Sequence, residues 1–442
     1  MLAAQVRRLI APSALLFVCI ILIVDALCQA ELTLTSIAGL VGGWITTHLL
    51  ERGEDAKTIR VLDLQPPKQA AIVSASVMWL HTDITSTESV EAAFRTPWDA
   101  AVAHKPLTVF HTAAYISAAN RYPVFLPPYT KINVEGARNV LFAARLAGCT
   151  AFIATSSGSI SIRPPSLIAW PWQAHPKGHF QFHSNAEPMK DFHLGKPTDF
   201  GSCYAFSKAQ AEYLITSLSS PELPTGAIRP CHSIYGTGVE NPSSISYDYM
   251  RRGGNPTWIA ETVTQFVDAR NVSAAHLALE DKLIDPRTTA SVAGRAYAVM
   301  DPNPPVTYGH LYDVLETLAH PKTPVHFPLV SAMPFIIVAY MLETYDWARA
   351  SVPALFWLPA LKGDAAKLQP AIFNMCTLNV VYDDKRAQEE LGYRGIVNTL
   401  DGLCEAVRDW NNKVEARERK STEAAAEQLQ TESQSVVPPV KM

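Results

Sequence analysis

An α/β fold is predicted, a doubly wound parallel sheet with a smaller C-terminal substrate domain. Three features of the sequence predict it. Short apolar strands alternate with helical stretches from Leu32 to Pro230. A turn of small residues joins the first strand to its helix. A strand ending in hydroxyls, Thr155, Ser156 and Ser157, precedes a helix that carries Tyr204 and Lys208.

The chain has 442 residues, enough for two or three domains. Hydrophobic residues make up 48% and charged residues 18%, a globular composition with a large core. A net charge of −4, from 37 basic and 41 acidic side chains, argues against nucleic acid as a partner. The 7 cysteines are scattered without a C-x-x-C pair, so they read as reduced thiols, with neither a disulfide framework nor a metal site.

Residues 1–30 form an apolar leader. Arg7 and Arg8 precede the run from Leu9 to Val24, and Asp25 stops it. It reads as a membrane anchor, a signal peptide, or a segment that is not the native start of the chain. Residues 31–230 read as the dinucleotide-binding domain. Leu32 to Ile37 is a strand, Ser36, Gly39 and Gly42 make the turn, and the helix runs to Arg52. Such a turn lets the backbone approach a pyrophosphate, and the helix N-terminus supplies N–H donors; this is a Rossmann-type arrangement. The next strand, Ile59 to Asp63, ends in a carboxylate about twenty residues on, placed for the adenosine ribose hydroxyls. A carboxylate there repels a 2′-phosphate, so NAD is expected, with NADP the alternative. Asp83 follows another strand and could cap a helix or face the adenine. The strand Thr108 to Thr112 ends in Ala113 and Ala114, small enough for the backbone to lie against the cofactor.

Tyr204 and Lys208 are four apart on a helix and share a face. Alone, that spacing is common, and an exposed i,i+4 pair is the simpler reading. After a Ser-Ser strand end and a dinucleotide turn it points to chemistry. A free tyrosine, with a pKa near 10, is a poor base at neutral pH. A neighbouring ammonium lowers it, and Lys208 can also bind the nicotinamide ribose. Ser157 holds the substrate oxygen in line.

Together these motifs resemble the extended short-chain dehydrogenase/reductases. Within them they are most similar to the 3β-hydroxysteroid dehydrogenase and sterol-4-carboxylate dehydrogenase branch in its fungal form. The resemblance covers about residues 32–412. Its markers include Asp63, Asp83, His111 to Ala114, Asn133 to Gly136, Thr155 to Ser157, Tyr204 with Lys208, Arg229 with Pro230, Phe266 to Asp268 with His276, and Leu391 to Tyr393. The resemblance implies that Pro230 lies near the nicotinamide. It implies oxidation of a 3β-type ring alcohol to a ketone. On a 4-carboxylated substrate that ketone is a β-keto acid and can lose CO2. Two departures stand out. The first glycine of the family's turn is Ser36 here, which adds about 1 kcal/mol of strain if that position needs positive φ. The 47-position spacing from Ser157 to Tyr204 is long, and residues 162–200 are expected to form a lid.

Residues 231–412 are expected to form the substrate region. Its stretch 325–361 is apolar and aromatic, and reads either as helices packed on the core or as a greasy, membrane-associated surface. The few basic residues there favour a sterol or terpenoid alcohol over a sugar nucleotide, whose diphosphate needs cations. Residues 413–442 read as a fraying helix and a disordered tail. The expected setting is a membrane-associated enzyme at the endoplasmic reticulum with its cofactor domain cytosolic, or a soluble cytoplasmic one if the leader is not native. A homodimer is among the assemblies the sequence leaves open. The rivals are a sugar-nucleotide epimerase or carbonyl reductase on the same scaffold, and a non-catalytic NAD-binding protein.

Overall fold

The structure, a computed structural model, describes residues 39–103, 105–165, 180–183, 195–238 and 244–435. The leader, the strand expected at Leu32 to Ile37, Ser36 and most of the expected lid lie outside the described residues.

The fold is a Rossmann-type α/β architecture, as the alternation of strands and helices predicts. Among the described residues, four parallel strands form its central sheet: β3 (Leu107–His111), β4 (Cys149–Thr155), β6 (Thr225–Pro230) and β7 (Arg295–Val299), in the order β7-β6-β4-β3. β1 (Arg60–Asp63) and β2 (Met78–His81) pair in parallel with each other. Helices α1 (Leu40–Glu51), α2 (Thr87–Arg95), α3 (Ala137–Leu146), α4 (Cys203–Ser217) and α6 (Ala269–Ile284) accompany the strands; α5 (Ile245–Arg252) belongs to the C-terminal half.

Strand β4 shows how alternation builds the core. Ala151 and Ile153 face α6 and pack with Leu279 and Leu283. Phe152 and Ala154 point the other way and pack with Leu141 of α3 and Ala211 and Ile215 of α4. Both faces of the sheet are therefore covered, as parallel sheets require. The C-terminal half has its own core. There α5, α7 (Tyr308–Leu318) and α10 (Thr399–Ser435) pack around Tyr249, Tyr312, Phe327, Leu403 and Val407. The stretch expected to fray is helical to Ser435. Strand β5 (Phe180–His183), from the long insertion, pairs in parallel with β8 (Asn379–Tyr382) of the C-terminal half.

The apolar stretch 325–361 combines the two expected readings, one face packed on the core and one exposed. It contains α8 (Met333–Ser351), and among the described residues no helix is long and apolar enough to cross a membrane. Asp346 and Arg349 interrupt its second half, where they pair with each other. One face of α8 packs on the C-terminal core, with Phe335, Ile336, Val338 and Leu342 half-buried there. Ala339 and Glu343 are its buried residues, whereas Met333, Ile337 and Met341 are exposed. Glu343 is inside because it accepts two bonds from Arg121, at 2.7 Å each, which ties α8 to the 115–125 loop.

Candidate active site

The tyrosine helix α4 is buried on nearly every side from Cys203 to Glu212, although its sequence is not strongly apolar. Ser202 starts it by accepting from the Ala205 amide at 3.2 Å. Tyr204, Lys208 and Glu212 follow at four-residue steps and so form a line along one face. Each meets a residue from the end of β4 or β6.

Glu212 binds Arg229 of β6 through two charge-assisted bonds, one of them 2.8 Å from Nε. It also accepts from the Ser156 hydroxyl at 2.5 Å. Lys208 Nζ donates to the Thr155 carbonyl at 2.6 Å. Burial pulls the Lys208 ammonium down to about 8, against the upward pull of Glu212. His276 of α6 locks the other side of Thr155. Its Nδ1 lies 2.8 Å from the Val272 carbonyl, which can only accept, so Nδ1 carries the proton. Burial keeps the ring neutral, with its pKa lowered to about 4. Nε2 is then an acceptor, and the Thr155 hydroxyl donates to it at 2.8 Å.

Asn133 fixes the loop that follows β3. It lies in a π-helical turn, Thr130–Gly136, of a kind found often at functional sites. Its amide donates to the Tyr115 carbonyl at 3.1 Å and to Ser207 Oγ at 2.9 Å, and its oxygen accepts from the Tyr115 amide at 2.7 Å. Ser207 in turn donates to the Tyr204 carbonyl at 2.8 Å. Asn133 therefore holds the 114–115 backbone against α4. Gly158 permits a second close approach. A Cβ there would stand 2.9 Å from the Pro230 carbonyl oxygen and 3.0 Å from the Tyr382 ring.

These elements surround a cavity of about 130 Å3. Gly39, Ala114, Ser157, Tyr204, Lys208 and Pro230 line it, six residues that the sequence singles out. The other cofactor candidates lie off its wall. Gly42 sits inside α1, where its carbonyl accepts from Thr46 at 3.0 Å. Ala113 is buried in the core cluster that contains Tyr204. Asp63 is buried at the end of β1, and its carboxylate accepts from the Gln65 amide at 3.0 Å. Asp83 makes a local turn, accepting from the Thr85 amide at 2.8 Å, while Ser86 caps α2. Ser36 lies outside the described residues.

One electrostatic expectation changes. Burial pushes the Tyr204 phenol up to about 12, and a hydrogen bond with Ser157 opposes it. The carbonyl of Thr155 holds Lys208, and the ammonium is not among the groups that move Tyr204. Ser157 Oγ also lies 2.8 Å from Ser159 Oγ. The sequence reading missed Ser159, Glu212 and the roles of Asn133 and His276. Glu212 was signalled by a further four-residue step from Lys208.

The model of the 3-beta hydroxysteroid dehydrogenase/isomerase family matches residues 33–165 and 180–329, and that of the Male sterility protein family matches residues 100–251. A 3beta-hydroxysteroid-dehydrogenase/decarboxylase from Arabidopsis thaliana is 25% identical over 374 residues, 83% of this chain and 74% of the relative. A decarboxylating sterol-4-alpha-carboxylate 3-dehydrogenase from Gibberella zeae is 25% identical over 319 residues, 70% of this chain and 92% of the relative. Among solved structures, MoeE5 in complex with UDP-glucuronic acid and NAD aligns with a TM-score of 0.55 at 18% identity, covering 85% of this chain and 97% of its own. A dTDP-glucose 4,6-dehydratase from Streptomyces venezuelae aligns at 0.54 and 17%, covering 84% and 94%. The two structures share the fold. The family model spans more than half of the sequence, and the chain belongs to the 3-beta hydroxysteroid dehydrogenase/isomerase family.

Proposed function

We propose that the protein oxidises a ring secondary alcohol of a sterol or terpenoid, of the 3β-hydroxyl type, to the ketone, with NAD as cofactor. One observation carries this reading. Ser157, Tyr204 and Lys208 share a cavity with the apolar side chains Ile116, Ala118, Ile162 and Met375. Among the described residues, Lys208 is the one Lys or Arg in its lining, which fits a neutral substrate better than a nucleotide sugar.

The residues present fit a dinucleotide. Among the described residues no side chain caps α1 at Gly39, and the first amides of a helix are the ones that meet a phosphate. The Thr112 hydroxyl on the cavity wall is buried and has no partner, so it is free to bond a bound group. Gly39, Asp63, Ala114, Lys208 and Pro230 are the residues assigned to hold the cofactor. When bound, oxidised NAD supplies the hydride acceptor and a positive charge that draws the tyrosine pKa down.

The chain's own residues handle the proton. Ser157 holds the carbinol oxygen, and Tyr204 takes its proton. Lys208, fixed by Thr155, presents its ammonium from one helical turn away. Tyr204 is neutral in the free protein, so its activation belongs to the assembled complex. The test is turnover of 3β-hydroxysterols and cyclic terpenoid alcohols, followed by absorbance of the reduced cofactor. Tyr204→Phe should lower kcat about 10²–10⁴-fold while calorimetry shows NAD binding retained. Unchanged turnover in that variant would remove Tyr204 from the chemistry.

We also assign a membrane-surface contact to α8. Met333, Ile337 and Met341 lie four apart on one exposed stripe, and the exposed rings of Phe356 and Trp357 follow the helix. The chain would lie on the bilayer there, not span it.

A further inference from the structure

The catalytic cavity does not end at Ser157. A second, smaller cavity of about 20 Å3 adjoins it, and the two share Ala118, Ser159, Ile162, Ser202 and Met375 in their linings. The far wall is apolar: Pro164, Pro165, Ala205, Ala371 and Leu378. One polar side chain interrupts that wall. Asn374, on α9 (Pro370–Cys376), is 5% exposed, and its Oδ1 is buried without a hydrogen-bond partner. An unpaired buried acceptor carries a desolvation penalty that an incoming donor removes.

We propose that Asn374 and Ser159 form a specificity subsite that reads a second hydroxyl on the substrate, carried by the carbon next to the one oxidised. The proposal rests on the dehydrogenase reading above and goes beyond it. Three observations lead to it. Volume sets the size of the group, because 20 Å3 holds one water-sized group, which needs roughly 10–15 Å3. A hydroxyl fits that space; a carboxylate has three heavy atoms and a charge. The unpaired acceptor sets the chemistry: once the Asn374 amide turns toward the space, a hydroxyl donates to Oδ1, whereas a methyl leaves it unpaired and an ionised carboxylate has no proton to give. Ser159 sets the position. Its Oγ is 2.8 Å from Ser157 Oγ and it lines both cavities, so the subsite opens one hydrogen bond from the hydroxyl that holds the reacting oxygen. No Lys, Arg or His is among the described residues lining the subsite, so nothing there neutralises a carboxylate.

The experiment compares three probes on the full chain with NAD: a 3β-hydroxysteroid, its vicinal 3,4-diol and its 4-carboxylate. KM and kcat are read from turnover, and binding from calorimetry. The wild-type protein should show a KM and a Kd for the diol roughly five- to tenfold below those for the mono-alcohol. Asn374→Leu should bring the two alcohols together in both quantities. The wild-type comparison stands even if the variant fails to fold, which its melting temperature reports. Equal affinity of the wild type for both alcohols would mean that the subsite holds water only, and would overturn the proposal. So would tighter binding of the 4-carboxylate, or an equal loss for both alcohols in a folded Asn374→Leu. If neither alcohol is oxidised but the diol binds preferentially and Asn374→Leu erases the preference, the reaction reading fails and the subsite stands. If neither binds, both fail.

Discussion

The side of the cavity built from the tyrosine helix and the side that faces the substrate treat polar groups in opposite ways. Around α4, Asn133 makes three bonds, Glu212 makes bonds with both Arg229 and Ser156, and Lys208 is held by a carbonyl that His276 braces from behind. On the substrate side, His232 of the main cavity and Asn374 of the smaller one each keep a buried polar atom without a partner. Helix α8, farther out, leaves the stripe of Met333, Ile337 and Met341 exposed. The chemistry must work at one geometry, so its groups are fixed before substrate arrives. Recognition of a mostly apolar ring system needs shape and a few free polar atoms, and those atoms are satisfied only when the right molecule fills the site.

The largest effect that tests this comparison is at Glu212. Glu212→Gln leaves the Arg229 guanidinium buried without its counter-charge, which costs about 3–5 kcal/mol of stability. Chemical denaturation should show that loss as a lower midpoint at unchanged slope. The variant also removes the group that raises Lys208, so the Lys208 pKa falls further below about 8. Replacing both partners, Glu212→Leu with Arg229→Leu, should recover much of the stability, because two buried charges are then removed together. A double variant as unstable as the single one would show that the pair holds β6 by shape and not by charge.

The sequence made the candidate catalytic line legible only in part, and Glu212 shows why. Tyr204 and Lys208 are unusual together on a helix after a hydroxyl-rich strand, so their spacing carried information. A glutamate one turn on reads as a solvated helix face unless the helix is known to be central. Asn133 was visible as the start of a helix, but the π-turn that aims it at Tyr115 leaves no periodic signal. The central sheet was legible because buried parallel strands are apolar on both faces. Helix α8 was legible only in part. Hydropathy counts apolar residues and does not say which way they point; here Phe335, Ile336, Val338 and Leu342 turn to the core with Glu343, while Met333, Ile337 and Met341 stay outside.

The buried histidines give an effect of intermediate size. His111 is held at about 3 and His276 at about 4, each lowered first by burial and then by the nearby Lys208. In the unfolded chain both titrate near 6.5. Between that value and the folded pKa the unfolded state binds the extra proton, so stability falls as pH falls. The contribution is complete above about pH 6.5. Each ring removes about 1.4 kcal/mol per pH unit below it, down to about pH 4 for His276 and about pH 3 for His111. His276→Asn should flatten the slope by one ring's share in a pH series of urea midpoints. An unchanged slope would mean that His276 is reached by water and titrates normally in the folded protein.

The smallest effect on stability belongs to the exposed stripe of α8, and there the comparison becomes sharpest. Ile337 is 58% exposed and Met341 is 67% exposed, so serine at either position leaves no cavity. Each change should move stability by no more than about 0.5 kcal/mol. A face that has no internal role should be measurable by an external one. Association with neutral phospholipid vesicles, read by flotation, should therefore fall in Ile337→Ser and fall further with Met341→Ser added, while the melting temperature stays constant. Loss of melting temperature without loss of flotation would place these side chains in a packing role. The substrate side would then be as internally fixed as the tyrosine helix, and the contrast between the two sides would rest on the unpaired polar atoms alone.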